Sequence, residues 1–312
     1  MQSTEINVAL APDDNYAPHA KTTIKSVAAN CSARARFWIL DGGLSAESVE
    51  MLKGAAENVE IVGIDRQMFA GFPSNGYITV STWFRFAIAS LLPQTVERVL
   101  YIDCDVAAAG DIAELFGTDM EGFAVAGVKD CIWRKFVRRV GLPKDFHYFN
   151  AGVLLLNLEY WRRNDVQGRL FGFLAESPDN INLFDQSILN IVLKDEYREL
   201  PLEWNAQYVP PYLEESCYEA GEFAAAMRAP KLIHYVNKFK PWSEQFGWLN
   251  PLCVHFVKYM DCAPKYPDNK GKVFLRLFLK NIFRKPGLLF RAAYWNNIVI
   301  CSALKNKNGG GR

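Results

Sequence analysis

Three short apolar runs joined by two helical stretches fill the first 64 residues, and this rhythm restricts the fold more than any other feature. Ile6, Val8 and Leu10 alternate toward the turn Pro12-Asp13-Asp14-Asn15, Phe37-Trp38-Ile39-Leu40 stops at Asp41-Gly42-Gly43, and residues 59–64 form a third run. Helix-like stretches cover 20–29 and 45–56, the second opened by Ser45 as an N-cap. Strands joined through helices pair in parallel, because the crossover carries the chain back to the end of the sheet where it began. The expectation is an α/β chain built on a parallel sheet. Further strands are expected at 98–103, 123–128, 149–156 and 231–236, with helices near 81–92, 157–176 and 185–193. No internal repeat is visible.

With 312 residues, 50% hydrophobic and 22% charged, the chain can bury a sizeable core, which excludes a disordered or low-complexity protein. A net charge of +1 gives no reason to expect nucleic acid as a partner. The charge is unevenly placed, however. After Asp268 there is no acidic residue and there are ten basic ones, so the rest of the chain is net negative. Lys272, Arg276, Lys280 and Arg284 recur every four residues among large apolar side chains, the pattern of a helix lying on an anionic surface. The composition changes at Ala263-Pro264, which divides the chain into a catalytic unit, 1–262, and a basic amphipathic tail, 263–312. Seven cysteines with no Cys-x-x-Cys pair fit a reducing cytosol. There is no leader-like N-terminus and no run of 18 apolar residues. The expected location is cytoplasmic, peripheral on the inner face of the cell membrane, with residues 270–312 as the contact.

In an open parallel sheet, ligands gather beyond the carboxyl ends of the strands, so polar residues that end apolar runs are the candidates for chemistry. Val99-Leu100-Tyr101-Ile102 runs into Asp103-Cys104-Asp105. The two-residue period of extended chain turns both carboxylates to one side, where a divalent cation would neutralise them and hold a diphosphate. A strand-ending turn with solvated aspartates is the plainer reading of so short a motif. His234 ends 231–233 in the same way and offers a nitrogen that favours manganese over magnesium. Lys238-Phe239-Lys240-Pro241-Trp242 follows, with lysines suited to phosphate or to solvent. Asn150-Ala151-Gly152 suits either close approach of a ligand or a β-bulge, and Asp185 reads as a helix cap.

Taken in order, Asp13-Asp14-Asn15-Tyr16, Phe69-Ala70-Gly71-Phe72-Pro73, Asp103-Cys104-Asp105, Phe149-Asn150-Ala151-Gly152, Asp185-Gln186-Ser187 and His234-Tyr235 with Lys240-Pro241-Trp242 resemble the family 8 retaining glycosyltransferases. The likeness is strongest to those that add galactose or glucose to bacterial lipooligosaccharide and lipopolysaccharide, and it covers residues 6 to about 242. It implies a GT-A fold, a Rossmann-like nucleotide-binding sheet flanked by helices, that binds a UDP-sugar with Mn²⁺, or Mg²⁺ in its place. It also implies an oligosaccharide or glycolipid as acceptor. By the same resemblance Asp103, Asp105 and His234 are the metal ligands. Ala11, Asp13 and Asn15 correspond to uridine contacts, with Tyr16 in the same turn, and Lys240 corresponds to a diphosphate contact. Cys104, between the two aspartates, and Asn237, after the metal histidine, belong to the same donor-binding segments. Arg85, Asp130, Asn150, Ala151 and Asp185 correspond to donor-sugar contacts, and Gln186 lies beside the anomeric centre.

Three positions depart from the family pattern: Tyr77 in place of a histidine, Ser187 in place of a second carboxylate, and Asn237 in place of a glycine. The implied chemistry is departure of UDP and same-face attack by the acceptor, with Gln186 steadying the sugar and Asp130 or Asp185 as alternative nucleophiles. Two other readings compete. One is a nucleotide-sugar-binding module that has lost catalysis. The other is a phosphohydrolase with an Asp-x-Asp nucleophile, against which Ala107 stands where that family has Thr or Val.

Overall fold

The computed structural model describes residues 5–268 except 75–78, 132, 177–183, 209–217, 237–239 and 246. The expected tail helix and membrane contact at 270–312, and the departures at Tyr77 and Asn237, lie outside the described residues.

The chain begins as expected. Strands β1 (Ile6–Leu10), β2 (Ala35–Asp41) and β3 (Val59–Gly63) alternate with helices Ala17–Asn30 and Ala46–Lys53. Ser45 caps the second helix, its hydroxyl oxygen accepting from Ser48 N–H at 3.2 Å. The same residue donates from both its backbone N–H and its hydroxyl to Asp14 Oδ1, each at 2.9 Å, which ties the turn after β1 to the start of this helix.

Seven strands then form the main sheet among the described residues. They are β1–β3, β4 (Arg98–Ile102), β6 (Val125–Lys129), β7 (Phe149–Asn157) and β8 (Tyr197–Glu199), in the order β3-β2-β1-β4-β7-β6-β8. The expectation of a parallel sheet holds for β3-β2-β1-β4 and for β6 with β8. It fails at β7, which runs antiparallel to both of its neighbours. A second sheet, in the order β5-β10-β9, joins β5 (Val106–Ala108), β9 (Ala206–Gln207) and β10 (Leu232–His234).

Both faces of the main sheet are covered, and period-2 alternation sorts its residues between two cores. Val8, Leu10, Leu100, Ile102, Val153 and Leu155 pack with Ile24 and Val27 of the first helix. Ala9, Val99, Tyr101, Leu154 and Leu156 face the other way, onto Trp83, Phe84, Phe86 and Trp161. With apolar layers on both sides, the strands read as nearly continuous hydrophobic runs.

Two expected helices are interrupted. Region 81–92 is a 3₁₀ helix, Val80–Ala87, that passes into a short α-helix, Ile88–Leu91. Region 157–176 divides into Leu158–Arg163 and Val166–Glu176. The break lies at Asp165, whose φ of 44° is left-handed and whose carboxylate accepts from Gly168 N–H in the following helix. Beyond position 262, the Tyr266 hydroxyl donates to the Pro241 carbonyl at 2.7 Å, so the chain there still lies against the catalytic unit.

Candidate active site

Asp103 and Asp105 occupy the short turn between β4 and β5. The small sheet brings His234 to them, because antiparallel pairing sets His234 opposite Val106, the residue after Asp105. His234 Nε2 lies 3.2 Å from Asp105 Oδ1 and 3.8 Å from Asp103 Oδ2. One ligand atom from each of the three residues falls within 4.8 Å of the others. Asp105 Oδ1 is buried without a hydrogen bond of good geometry. A buried carboxylate oxygen left in this state is costly, and two hard oxygens with one imidazole nitrogen suit a divalent cation such as manganese. The residues present therefore fit the group that the resemblance implies.

The Lys240 ammonium contacts Asp105 Oδ2. Burial works against the charge of Asp105, but the Lys240 ammonium outweighs it and holds the carboxyl well below the ordinary range. Burial likewise opposes the Lys240 charge, and Asp105 reverses the effect and raises the ammonium pKa.

Arg85 comes from the 3₁₀ helix Val80–Ala87 and is fully engaged. It donates to the Ala151 carbonyl at 2.6 Å and to Asp103 Oδ1 at 3.0 Å. Its Nε lies 3.2 Å from Asp185 Oδ2, and its guanidinium carbon sits 4.2 Å from the centre of the Tyr101 ring. Burial disfavours its charge, yet Asp185, Tyr101 and Asp103 together keep its pKa above the ordinary value. Asp185 is not the helix cap that the sequence suggests. It lies inside the helix Phe184–Val192, and burial pushes its carboxyl up to about 6, with Arg85 pulling the other way.

Gln186 follows on that helix. Its carbonyl oxygen accepts from Ala151 N–H at 3.0 Å and from Asn150 Nδ2 at 3.2 Å, and its amide nitrogen donates to Asp130 Oδ2 at 3.2 Å. Asn150 also donates to Asp130 Oδ2, at 3.0 Å. The backbone N–H of Ala151 can only donate, so the orientation of the Gln186 amide is fixed. The β-bulge reading of 150–152 holds. The β6–β7 register shifts between Gly127 and Lys129, opposite this stretch, and Gly152 lies directly against His234.

One cavity of about 260 Å³ is lined by Ala11, Asp13, Tyr16, Arg85, Asp103, Cys104, Asp105, Asn150, Ala151, Asp185 and Gln186. Asn15 instead lines a neighbouring cavity that shares Asp13. Asp130 lies behind the wall, bonded to the two amides. The Cys104 thiol is buried, and its carbonyl accepts from Thr23 Oγ1 at 2.9 Å. Tyr16 meets Trp242 edge-on at 6.0 Å, and His19 stacks on the same indole at 3.5 Å, so the segment bearing Lys240 packs on the turn after β1. Ser187 is buried with its hydroxyl 3.0 Å from that of Tyr148, which makes this departure a core contact. Sequence reasoning missed Asn205. Its amide donates to Asn150 Oδ1 at 3.0 Å, and its carbonyl oxygen lies 3.2 Å from His234 Nδ1. No local pattern marks it, since its partners are 55 and 29 residues away.

Residues 7–245 match the sequence pattern of Glycosyl transferase family 8. The chain belongs to this family. It is 27% identical over 256 residues to General stress protein A of Bacillus subtilis (strain 168), covering 78% of this chain and 90% of that one. It is 28% identical over 247 residues to the lipopolysaccharide 1,2-glucosyltransferase of Escherichia coli (strain K12), covering 76% of this chain and 72% of that one. It spans only 57% of Glycosyltransferase GlyF of Streptococcus pneumoniae. The galactosyltransferase LgtC, solved with donor and acceptor sugar analogues, superposes with a TM-score of 0.71 at 24% identity, covering 86% of this chain and 100% of that one. The architecture is therefore α/β and GT-A-like, and the phosphohydrolase reading loses its footing. Among the described residues, no helix is long and apolar enough to cross a membrane.

Proposed function

We propose that this family 8 glycosyltransferase moves a hexose, galactose or glucose, from a UDP-sugar to a saccharide acceptor with retention, giving an α-linkage. The observation that carries this reading is the cavity itself, in which Asp103 and Asp105, converging with His234, and the Arg85–Asp185 pair and Gln186 all meet beyond the strand ends. Asp103, Asp105 and His234 would hold Mn²⁺, or Mg²⁺ in its place. A cation bound there would supply positive charge to a departing diphosphate. Lys240, already beside Asp105, adds a second positive group at that end. Ala11, Asp13, Asn15 and Tyr16 would receive the nucleoside, with Asn237 and Cys104 in the flanking segments.

The donor sugar would lie between Arg85, Asn150, Ala151 and Gln186. The Gln186 carbonyl is held by two donors, so it presents a preorganised neutral dipole and a poor nucleophile. Asp130 is tied to two amides and Asp185 to Arg85. These ties favour same-face substitution, with the leaving UDP taking the acceptor proton, over a carboxylate nucleophile at either position. The acceptor in this reading is a lipid-linked bacterial surface glycan such as lipopolysaccharide core. The basic stretch 270–312 would hold the enzyme on the anionic inner face of the membrane, its charge alone supporting that assignment. A screen of UDP-hexoses scored by manganese-dependent UDP release tests the donor. Flotation with anionic vesicles, with and without 270–312, tests the surface.

A further inference from the structure

We infer that Asn205 is a positioning residue that fixes which nitrogen of His234 is free to bind a cation. The inference rests on the metal reading above and extends it to a residue that neither the motif nor the cavity includes.

Gly152 N–H donates to the Asn150 side chain at 2.9 Å. A backbone N–H has only a donor to offer, so the Asn150 atom facing it is the carbonyl oxygen. The Asn205 atom 3.0 Å from that same oxygen must then be its NH₂. This turns the Asn205 carbonyl oxygen toward His234 Nδ1, 3.2 Å away. An oxygen can only accept there, so Nδ1 carries the proton. The lone pair is consequently left on Nε2, the nitrogen facing Asp103 and Asp105.

Asn205, Asn150 and His234 are all buried, so water does not compete for these bonds. Asn205 sits at the end of the 3₁₀ helix Leu202–Asn205 and is followed at once by β9. Pairing of β9 with β10 sets Ala206 beside Ile233 and Gln207 beside His234, which holds the amide in place. An outer partner of this kind orients the imidazole and raises its basicity, and losing one commonly costs ten- to a hundredfold in metal affinity.

The test is manganese binding to the full chain by calorimetry, with Asn205→Leu and Asn205→Asp beside the unmodified protein and melting temperature without metal as a control. Asn205→Leu removes the acceptor and should weaken manganese about tenfold or more. Asn205→Asp keeps an acceptor toward Nδ1 and should stay within about threefold, a rescue that a purely structural role would not give. Manganese affinity in Asn205→Leu equal to that of the unmodified chain, or Asn205→Asp as weak as a folded Asn205→Leu, overturns the assignment. If the leucine variant fails to fold, Asn205→Ala takes its place, with a tenfold loss there beside retained affinity in Asn205→Asp in support and equal affinity in the two against. No manganese binding by the unmodified chain would remove the metal reading and this inference together.

Discussion

Gly152 lies directly against His234: a Cβ placed on Gly152 would fall 2.1 Å from His234 Cε1 and 2.8 Å from Asp103 Oδ2. The main sheet and the small sheet therefore touch at a point with no room for a methyl group. Gly152→Ala should push the imidazole out of register with the two carboxylates. The expected result is at least a tenfold loss in manganese affinity with a comparable fall in kcat/KM, measured by calorimetry and UDP release. An alanine variant with unchanged metal binding would show that the contact relaxes without consequence.

Arg85 links Asp103, Asp185 and the Ala151 carbonyl with one planar group, which lysine cannot imitate. Arg85→Lys should leave the buried Asp185 without its partner and cost about 3 kcal/mol in stability. The carboxyl of Asp185, already raised to about 6 by burial against the pull of Arg85, should rise further. Denaturant melts check the first expectation, and carboxyl titration by NMR checks the second.

Gln186 is held by its neighbours before any substrate arrives, so its contribution belongs to the step in which charge develops on the sugar. Gln186→Ala should lower kcat by one to two orders of magnitude, with donor KM changing much less. Loss confined to KM would assign it to donor binding instead.

Burial lowers His19 to about 4, with Asp105 opposing the shift and Lys240 reinforcing it. The folded state then binds its proton less readily than the unfolded chain. Stability from this group is full above about pH 6.5 and is lost as pH falls toward 4, a change on the order of 2 kcal/mol once solvent screening of the part-exposed ring is allowed for. His19→Gln should flatten the stability profile between pH 6.5 and 4, even though it gives up the stack on Trp242. Identical slopes for the two proteins would contradict this.

The parts of the site legible in the sequence are those where an apolar run ends in a polar residue. Asp103 and Asp105 announce themselves because they lie just past β4, and His234 because it closes β10, both apolar strands that must be buried. Arg85 has no such signal. It sits within Trp83–Ala87, and its partners are 18, 66 and 100 residues away, so only the family resemblance brought it forward. Asn205 escaped both routes. The reversal of β7 was equally hidden, since strand direction is decided by long-range pairing and leaves no mark on an apolar run buried on both faces. The short strands β5, β8 and β9 are two or three residues each, too brief for alternation to show. Asp165 ended a helix that apolar periodicity alone would have continued.

The anomeric configuration of the product separates retaining transfer from inversion. The purified chain is incubated with a UDP-hexose, manganese and a saccharide acceptor, UDP release is followed, and the new linkage is read by proton NMR. An α-linked product whose formation stops on chelation and returns with manganese is expected. A β-linked product, or transfer that proceeds unchanged under chelation, would contradict the account.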